Sequence, residues 1–399
     1  MGTYGGPSIA TNGLVLHLDA GNVKSFKGEP TVNLVAGGGL TGMSGITLTF
    51  ISTDGPWKKY SMSGTFSGGT YPYIMYVTAT TFTGGLQYST RCTIRTNVLY
   101  KFNYFGTGIN YVNQPMTNGG VMLSIINSDD SRTVSRSGFV YTSTTSQFGY
   151  LLTNPINGTG FSPITDFVWI KDLQVEQMPY TTPYVNGTRG NSVETGGGWE
   201  DRSGNVYNGT LTNGPTFNSL NGGSIVFDGI NDYITRNESI NTGTNFTVSA
   251  WIYPTILGTT RRAVVANSYN YGTRNGWLFS TAGGGINNTF FLSIGADNAG
   301  IGAPVNTLNI NEWVYITATC QNGGGTTILY KNGQVVANSN GTAGTITYTT
   351  NQFNVGYRLI GGTTDPYTGR IASIQVHNRV LSQQEVLQNY NATKSRFNL

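Results

Sequence analysis

Hydrophobic and polar residues alternate through much of the second half of the chain. In residues 246–253, Phe, Val, Ala and Ile alternate with Thr, Ser, Trp and Tyr, which is the two-residue period of a half-buried β-strand. Similar segments recur about every 8–12 residues and are separated by turns that contain Gly or Asn. One of these turns, Asn332-Gly333, tolerates the positive φ angles of a tight hairpin. This spacing predicts an antiparallel β-sandwich.

The pattern changes at the C-terminal end of the chain. Residues 370–377, Arg-Ile-Ala-Ser-Ile-Gln-Val-His, are predicted to form a closing strand. Ser382 and Glu385 have the spacing of a capping box, in which each side chain satisfies a free backbone N–H at a helix start. The apolar residues that follow fall on one helical face. The sequence therefore predicts one short C-terminal helix on an otherwise β-rich chain.

Composition narrows the class further. The 399 residues are 38% hydrophobic, 12% aromatic and 10% charged, which excludes a disordered polar chain. The net charge is +4, and Lys and Arg are scattered along the chain, so we expect no nucleic-acid partner. We expect no membrane association either, because no segment approaches the ~18 consecutive apolar residues of a membrane helix. Cys92 and Cys320 are too few for a disulfide scaffold and are expected to be buried thiols.

Five motifs follow one another along the second half of the chain. They are Phe227-Asp-Gly-Ile-Asn-Asp-Tyr233, Phe246-Thr-Val-Ser-Ala-Trp251, Trp313-Val-Tyr315, Leu329-Tyr-Lys-Asn-Gly333 and Gly369-Arg-Ile-Ala-Ser-Ile-Gln-Val-His-Asn-Arg-Val-Leu-Ser382. In this order they resemble the laminin G-like (concanavalin A-like) family. The resemblance implies a jelly-roll domain that ends with the closing strand and the short helix.

The first strand of this domain is separated from its successor. The segment Asn12-Gly-Leu-Val-Leu-His-Leu-Asp-Ala-Gly-Asn22 resembles the first strand of the same family. The Trp-x-Asp-x-Ser-Gly-Asn segment that normally follows it appears only at residues 199–205. A structureless loop of this length does not fit a compact domain, whereas a whole domain can be inserted where two chain ends lie close together. We therefore expect residues 1–30 with 191–399 to form one discontinuous jelly roll.

The intervening residues 31–190 have strand patterns of their own. Thr31-Val-Asn-Leu-Val35 and Val168-Trp-Ile-Lys-Asp-Leu-Gln-Val-Glu176 resemble the opening and closing strands of β-sandwich carbohydrate-binding modules. The expected fold class is all-β, with two antiparallel β-sandwich (jelly-roll) domains, one inserted in the other, and a short C-terminal helix.

The concanavalin A-like resemblance also includes glucanases, so an enzyme has to be considered. Glycosidases need two carboxylates that flank the scissile bond, and the resemblance implies a Glu-x-Asp-x-(x)-Glu strand for them. The few Glu residues of this chain form no such cluster, and there is no Gly-x-Ser-x-Gly segment for a nucleophilic serine. We therefore expect no enzymatic activity.

Aromatic side chains are the candidates for sugar binding, because their faces stack on the apolar side of a sugar ring. Tyr269, Tyr271 and Trp277 cluster in one loop-and-strand region and are the predicted carbohydrate-binding residues. The alternative is that Trp277 fills the sandwich core.

Three carboxylates are candidates for a calcium site. Asp228 and Asp232 bracket a turn, and Asp19 ends the first strand. Calcium prefers several oxygen ligands, and the resemblance implies calcium at a sheet edge. The alternative is that Asp228 and Asp232 stabilise the hairpin by accepting hydrogen bonds from backbone N–H groups.

The resemblance extends to virion proteins of tailed bacteriophages. It implies a non-enzymatic capsid decoration protein or head or tail fibre element, exposed on the virion surface and made in the host cytoplasm without a signal peptide. The implied partners are the major capsid protein or other virion proteins, cell-surface polysaccharide and further copies of the chain in a homo-oligomer. The alternative is a glycan-binding adhesin or receptor-binding tail protein, and a glycosidase is the third hypothesis.

Overall fold

The structure of the protein is a computed structural model. It describes residues 8–28, 31–32, 34, 40–42, 45–66, 75–83, 85–108, 116–118, 121–127, 129, 131–141, 145–148, 151–177, 188–190, 192–194, 197–270, 275–283, 285–323, 325–340, 346–348, 352–358 and 364–399.

Most of the regular structure in these residues is β-strand. The first strands are β1 (Leu14–Asp19), β2 (Thr31–Val32), β3 (Leu40–Gly42), β4 (Ile46–Asp54), β5 (Trp57–Thr65), β6 (Met75–Phe82), β7 (Gln87–Thr96), β8 (Phe102–Gly108), β9 (Met116–Asn118), β10 (Val121–Ile126), β11 (Arg132–Tyr141), β12 (Thr145–Phe148), β13 (Leu151–Pro155), β14 (Gly160–Phe161), β15 (Phe167–Glu176) and β16 (Thr188–Arg189).

The remaining strands and the helices follow. The strands are β17 (Thr210–Thr212), β18 (Thr216–Asn218), β19 (Ser224–Asp228), β20 (Tyr233–Arg236), β21 (Phe246–Pro254), β22 (Arg262–Asn270), β23 (Asn275–Gly283), β24 (Ile286–Ile294), β25 (Ala296–Gly302), β26 (Val314–Gln321), β27 (Thr326–Lys331), β28 (Gln334–Ser339), β29 (Phe353–Val355) and β30 (Thr368–His377). The α-helix α1 is Gln383–Thr393, and short 3-10 helices are Leu99–Lys101, Leu220–Gly222 and Lys394–Phe397.

The chain divides into two compact units. Residues 1–29 with 190–399 form one, here called the split unit, and residues 30–189 form the other, here called the inserted unit. The two ends of the inserted unit are neighbours, because Thr31 of β2 lies opposite Arg189 of β16 in an antiparallel pair.

The first sheet of the split unit joins the two ends of the chain. Its strand order is β18-β19-β30-β21-β26-β27-β28, and β1 also pairs with β30. Strand β21 occupies one edge of β30, so β1 and β19 share the other edge, where Leu18 lies opposite Ile374 and Ile225 lies opposite Ile371. The turn between β27 and β28 has φ +51° at Asn332 and +79° at Gly333, which confirms the predicted hairpin.

The second sheet has the order β17-β20-β29-β22-β23-β24-β25, and the main core lies between the two sheets. Alternate residues of β21 point into this core, where Val248, Ala250 and Ile252 are fully buried. Full burial of a Val or Ile side chain stabilises the fold by about 1.5–3 kcal/mol. The all-β class with antiparallel sheets and a short C-terminal helix is therefore confirmed.

The C-terminal helix covers the other face of the first sheet. Both bonds of the predicted capping box are present, between Ser382 and Glu385. The indole N–H of Trp251 donates to Oγ1 of Thr393 over 2.8 Å, and the Trp251 ring stacks on Phe397 with centroids 4.1 Å apart. Strand β21 is therefore buried on both faces, whereas its alternating pattern predicted a half-buried strand. The difference arises because Trp251, on the second face, packs under the C-terminal segment.

The inserted unit has a main sheet of order β10-β11-β7-β15-β5-β14, with β4 on β5 and β9 on β11. Its smaller pairings are β12-β6-β3, β13-β8 and β16-β2. Alternate residues of the central strands are buried, including Met62, Cys92, Ile94, Val168 and Ile170. Cys92 and Cys320 are both buried and neither forms a disulfide, as predicted.

Candidate functional site

The structure places two of the predicted sugar-binding aromatics in the interior. Trp277 and Tyr269 are each 0% exposed. Trp277 stacks on Phe246 with ring centroids 5.1 Å apart, and its indole N–H donates to Oγ1 of Thr242 over 3.3 Å. Neither ring has a free face for a sugar, so both contribute to packing, which is the alternative considered for Trp277. Tyr271 lies outside the described residues.

The three predicted carboxylates do not converge on one site. Asp19 lies opposite Ser373 of β30, whereas Asp228 lies opposite Thr368. At the rise of an extended strand, these positions are about 16 Å apart. Asp19 forms an ion pair instead, with its Oδ1 2.7 Å from Nη1 of Arg396. The structure therefore corrects the prediction that Asp19 shares a calcium site with the other two.

Asp228 and Asp232 stabilise the turn between β19 and β20. Oδ1 of Asp228 accepts a hydrogen bond from the N–H of Ile230 over 2.8 Å, and Oδ2 of Asp232 accepts one from the N–H of Asp228 over 3.0 Å. Burial raises the pKa of Asp232. These are the hydrogen bonds expected under the alternative interpretation, in which Asp228 and Asp232 stabilise the hairpin by accepting from backbone N–H groups. In the part of the chain that the structure describes, no three His, Cys, Asp or Glu side chains are grouped so that they could hold a metal ion.

A pocket of about 260 Å³ opens beside the start of β26, in the split unit. Its lining residues are Tyr253, Leu308, Asn309, Asn311, Glu312, Trp313, Val314, Lys331, Asn332, Phe397 and Leu399. They come from the end of β21, the segment between β25 and β26, the β27–β28 turn and the segment that follows α1. We call this site the Trp313 pocket.

One side of the Trp313 pocket is aromatic. The Trp313 ring lies 4.6 Å from Phe397 and 5.3 Å from Tyr253, measured between centroids. Its indole N–H donates to Oδ1 of Asn221 over 3.1 Å, which fixes the orientation of the ring. Phe397 is buried, whereas Trp313 and Tyr253 are partly exposed. Arg370 packs over Tyr253, with its guanidinium carbon 4.8 Å from the ring centroid.

The other side of the pocket is polar. The side-chain amide of Asn309 donates to Oε2 of Glu312 over 2.9 Å, and both side chains are exposed. The ammonium group of Lys331 donates to the backbone carbonyl of Thr307 over 2.7 Å. The pocket therefore presents amide, carboxylate and ammonium groups that are oriented by contacts within the protein.

Local backbone conformation places these polar groups. Asn311 has φ +59° and Asn332 has φ +51°, a left-handed conformation that Asn adopts more readily than most residues. The N–H of Asn311 donates to the carbonyl of Pro254 over 2.8 Å, so the segment before β26 is held against the end of β21. Oδ1 of Asn332 accepts a hydrogen bond from the N–H of Tyr315 over 2.9 Å.

Aromatic rings beside oriented amide and carboxylate groups are the combination that binds small polar ligands with apolar faces, such as sugars. Sequence reasoning used Trp313 as a family landmark and did not select it as a site residue. The alternation of β21 contains a signal that could have pointed to this site. Tyr253 belongs with Thr247 and Ser249 on the face opposite the core, so an aromatic residue there has to pack under another element or line a surface.

Two further clefts, of about 420 and 350 Å³, lie beside the segment around Val206. They contain carboxylates, but these have partners. Oε1 of Glu200 lies 3.1 Å from Nη1 of Arg202, and Glu238 pairs with Arg236. A hydrogen bond from its own backbone N–H and one from Ser192 lower the pKa of Glu194, whereas a general acid requires a raised pKa.

Part of the split unit matches a known protein family. Residues 228–387 match a family model, Laminin_G_3, that is described as the concanavalin A-like lectin/glucanases superfamily. No curated protein matches the sequence.

Several solved structures are similar to about half of the chain. One is domain 4 of a GH43 extracellular arabinanase from Geobacillus stearothermophilus, in complex with arabinotriose, at 17% identity and a TM-score of 0.40, covering 48% of this chain and 92% of that one. The botulinum neurotoxin serotype G binding domain has 20% identity and a TM-score of 0.37, with coverage of 48% and 47%. The binding domain of Paraclostridial Mosquitocidal Protein 1 has 18% identity and a TM-score of 0.38, with coverage of 49% and 49%.

The similarity thus spans about half the length of the two toxin binding domains. No helix in the described residues is both long enough and apolar enough to span a membrane. The family match, the antiparallel sheets and the C-terminal helix together identify a concanavalin A-like jelly-roll domain in this chain.

Proposed function

We propose that this protein binds a glycan through the Trp313 pocket. One observation carries the proposal: the partly exposed rings of Trp313 and Tyr253 line the same cavity as the side chains of Asn309 and Glu312. The rings supply apolar faces for a sugar, and the amide and carboxylate groups supply directional hydrogen bonds. The volume of about 260 Å³ is below the roughly 300–1,000 Å³ of drug-sized ligand sites, so we expect one unit or one end of a glycan to enter.

We further propose that binding proceeds without catalysis. Glycosidases need a carboxylic acid with a raised pKa beside a second carboxylate. Among the described residues, the carboxyl group whose pKa is raised is that of Asp232, which is buried and accepts a turn hydrogen bond. Glu312 is the carboxylate that lines the Trp313 pocket, and it already accepts a hydrogen bond from Asn309. Release of reducing sugar from a bound polysaccharide would contradict this part of the proposal.

Binding can be tested on a glycan array, followed by calorimetry of the glycans that bind. We expect Glu312→Gln and Asn309→Ala to weaken affinity about tenfold each. Asn309→Ala removes the amide group, and Glu312→Gln replaces one charged acceptor oxygen with an N–H₂ donor. Both side chains are exposed, so the fold should tolerate the changes. Glu238→Gln is the matched control, since Glu238 is 70% exposed and lies outside the pocket. Absence of binding to every glycan, or equal affinity in all variants, would refute the proposal.

We also propose that the protein is displayed on a bacteriophage virion, as a capsid decoration or fibre protein. The support is the order of the sequence motifs and the concanavalin A-like domain that contains them. Purified particles should then contain the chain, and a particle reconstruction should show whether it contacts the major capsid protein in symmetric stoichiometry. Sparse copies at the tail would favour the alternative of a receptor-binding adhesin. Absence from particles would contradict both.

A further inference from the structure

Cations and aromatic rings alternate across one face of the main sheet of the inserted unit. Val168 and Ile170 of β15 are buried, so Phe167, Trp169 and Lys171 lie on the opposite face. Trp169 lies opposite Lys59 of β5 on one side and opposite Arg95 of β7 on the other. Residues from three strands that are far apart in sequence therefore meet on this face.

Each cation on this face packs against at least one ring. Nζ of Lys59 is 3.8 Å from the Phe167 centroid and 5.3 Å from that of Trp169. The Arg95 guanidinium carbon is 5.1 Å from the Trp169 centroid and 4.5 Å from that of Trp57. Nζ of Lys171 is 4.3 Å from Trp57. We call this series the cation–aromatic ladder, and its order is Phe167, Lys59, Trp169, Arg95, Trp57, Lys171.

In the part of the chain that the structure describes, the cations of the ladder have no carboxylate partner at ion-pair distance. Among the described residues, no ion pair within 4.0 Å includes Lys59, Arg95 or Lys171, whereas Lys101 of the same unit pairs with Asp166. Hydrogen bonds from Ser131 lower the pKa of Asp129, and the charge of Lys171 acts in the same direction as a smaller cause, but Asp129 and Lys171 form no ion pair within 4.0 Å. All three cations are partly exposed. Their positive charge is therefore available to a ligand.

We propose that the cation–aromatic ladder binds an anionic polysaccharide, with carboxylate or sulfate groups as the recognised chemistry. Lys59 and Arg95 flank Trp169 on successive strands, which sets the two cations about 10 Å apart. Lys171 lies two residues from Trp169 on the strand between them, so the three cations form a triangle with sides of about 8–10 Å. A cluster of fixed cations at this spacing matches a polymer with repeated charges better than one small anion. The rings hold the cations in place and reduce the side-chain entropy that each would lose on binding.

The ladder fits a nucleic acid less well. Nucleic-acid affinity rests on many phosphate contacts, roughly 6–10 in strong binders, and on open aromatic faces for base stacking. Here the ladder offers three cations, and those cations already cover faces of the rings. The site lies in the inserted unit, so the inference stands or falls separately from the Trp313 pocket in the split unit.

The test is a titration of the full chain with four probes. They are polygalacturonate, dextran sulfate, neutral dextran and a single-stranded oligonucleotide. We expect binding to one or both anionic polysaccharides, loss of affinity with rising sodium chloride and no binding of dextran. Ligand binding should also change the fluorescence of Trp57 and Trp169. The salt dependence and the probe ranking use the unaltered protein, so they do not depend on any variant folding.

A triple variant then assigns the site. Lys59→Gln, Arg95→Gln and Lys171→Gln together should weaken binding of the anionic polysaccharide by about tenfold or more. The matched control, with the same change of charge at exposed positions outside the ladder, is Lys24→Gln, Lys27→Gln and Lys58→Gln. Trp313→Ala should leave this binding unchanged. Equal loss in both triple variants, equal binding of neutral dextran, or tighter binding of the oligonucleotide would overturn the inference.

Discussion

Glu385 is held by two partners at the start of the C-terminal helix. Its Oε2 lies 3.0 Å from Nη1 of Arg379 and its Oε1 lies 2.5 Å from Nη2, so the pair is bidentate. Oε2 also accepts a hydrogen bond from the N–H of Ser382 over 2.9 Å. The hydrogen bonds from Arg379, followed by those from Ser382, lower the pKa of Glu385 from its ordinary 4.5 to about 2.

This shift predicts a pH-dependent stability. A depressed pKa in the folded state stabilises the fold above pH 4.5, and the contribution is lost as the pH falls towards about 2. We expect Glu385→Gln to lower the free energy of unfolding by about 1–2 kcal/mol at pH 7, after allowance for solvent screening. Gln keeps the capping geometry, so the ion pair is the main loss. Urea unfolding at pH 7 and pH 3 measures the difference, which should shrink at pH 3. An equal difference at both pH values would contradict the assignment.

Gly369 marks a close approach between β30 and β21. It has φ +134°, and a Cβ atom there would lie 2.3 Å from the carbonyl oxygen of Tyr253. We expect Gly369→Ala to destabilise the protein by roughly 2–4 kcal/mol, because both the backbone angle and the contact oppose a side chain. Gly204→Ala is the control, since its φ is +97° and nothing lies within 4 Å of the added Cβ. Equal unfolding free energies for the two variants would show that the contact is relaxed at no cost.

At the scale of elements, the C-terminal segment completes the first sheet. The Trp251 ring contacts Phe397 and Tyr390 with centroids 4.1 and 5.8 Å apart, and Tyr315 lies 5.3 Å away on the neighbouring strand. Phe397 also contacts Trp313, so the same ring supports the packing of the helix and one wall of the pocket. The element that closes the fold therefore also shapes the candidate site.

This dual role predicts the effect of removing one ring. We expect Phe397→Ala to lower the free energy of unfolding by about 3–4 kcal/mol, because Phe397 is 5% exposed and packs between two Trp rings. Glycan affinity should fall as well, since Trp313 loses its support. Leu399→Ala, at a 49% exposed position, is the control for the unfolding measurement only and should cost less than about 0.5 kcal/mol. Urea unfolding followed by Trp fluorescence measures the free energy of unfolding of both variants. Equal losses of stability would contradict the packing role of Phe397.

At the scale of the whole molecule, the chain leaves one compact unit and returns to it. The inserted unit begins and ends on a pair of adjacent antiparallel strands, with Thr31 opposite Arg189. Chain ends that lie this close together allow one unit to be replaced by a short linker without distortion of the other.

We therefore expect each unit to fold alone. Residues 30–189 expressed separately, and the full chain with residues 31–189 replaced by a short Gly/Ser linker, should each show strand-type circular dichroism and a cooperative thermal transition. The separated inserted unit should retain binding of anionic polysaccharide, and the linked split unit should retain glycan binding. Loss of cooperative unfolding in both pieces would show that the two units depend on each other.

Features that depend on neighbouring residues were predictable from the sequence. The capping box at Ser382 and the Asn332-Gly333 hairpin each need a few adjacent residues, and the structure contains both. The alternation in β21 predicted the strand but not the burial of its second face, which depends on the C-terminal segment. The all-β class and the closing strand and helix follow from the same local patterns.

Features that depend on residues far apart in sequence required the tertiary structure. Aromatic composition alone could not separate Trp277, which fills the core, from Trp313, which lines a pocket, because both follow the same strand-like pattern. Lys59, Arg95 and Lys171 are far apart along the chain and form one surface only when three strands align. A short segment determines its own backbone conformation through local sterics and hydrogen bonds, whereas a binding surface is set by strand register, which brings distant side chains together.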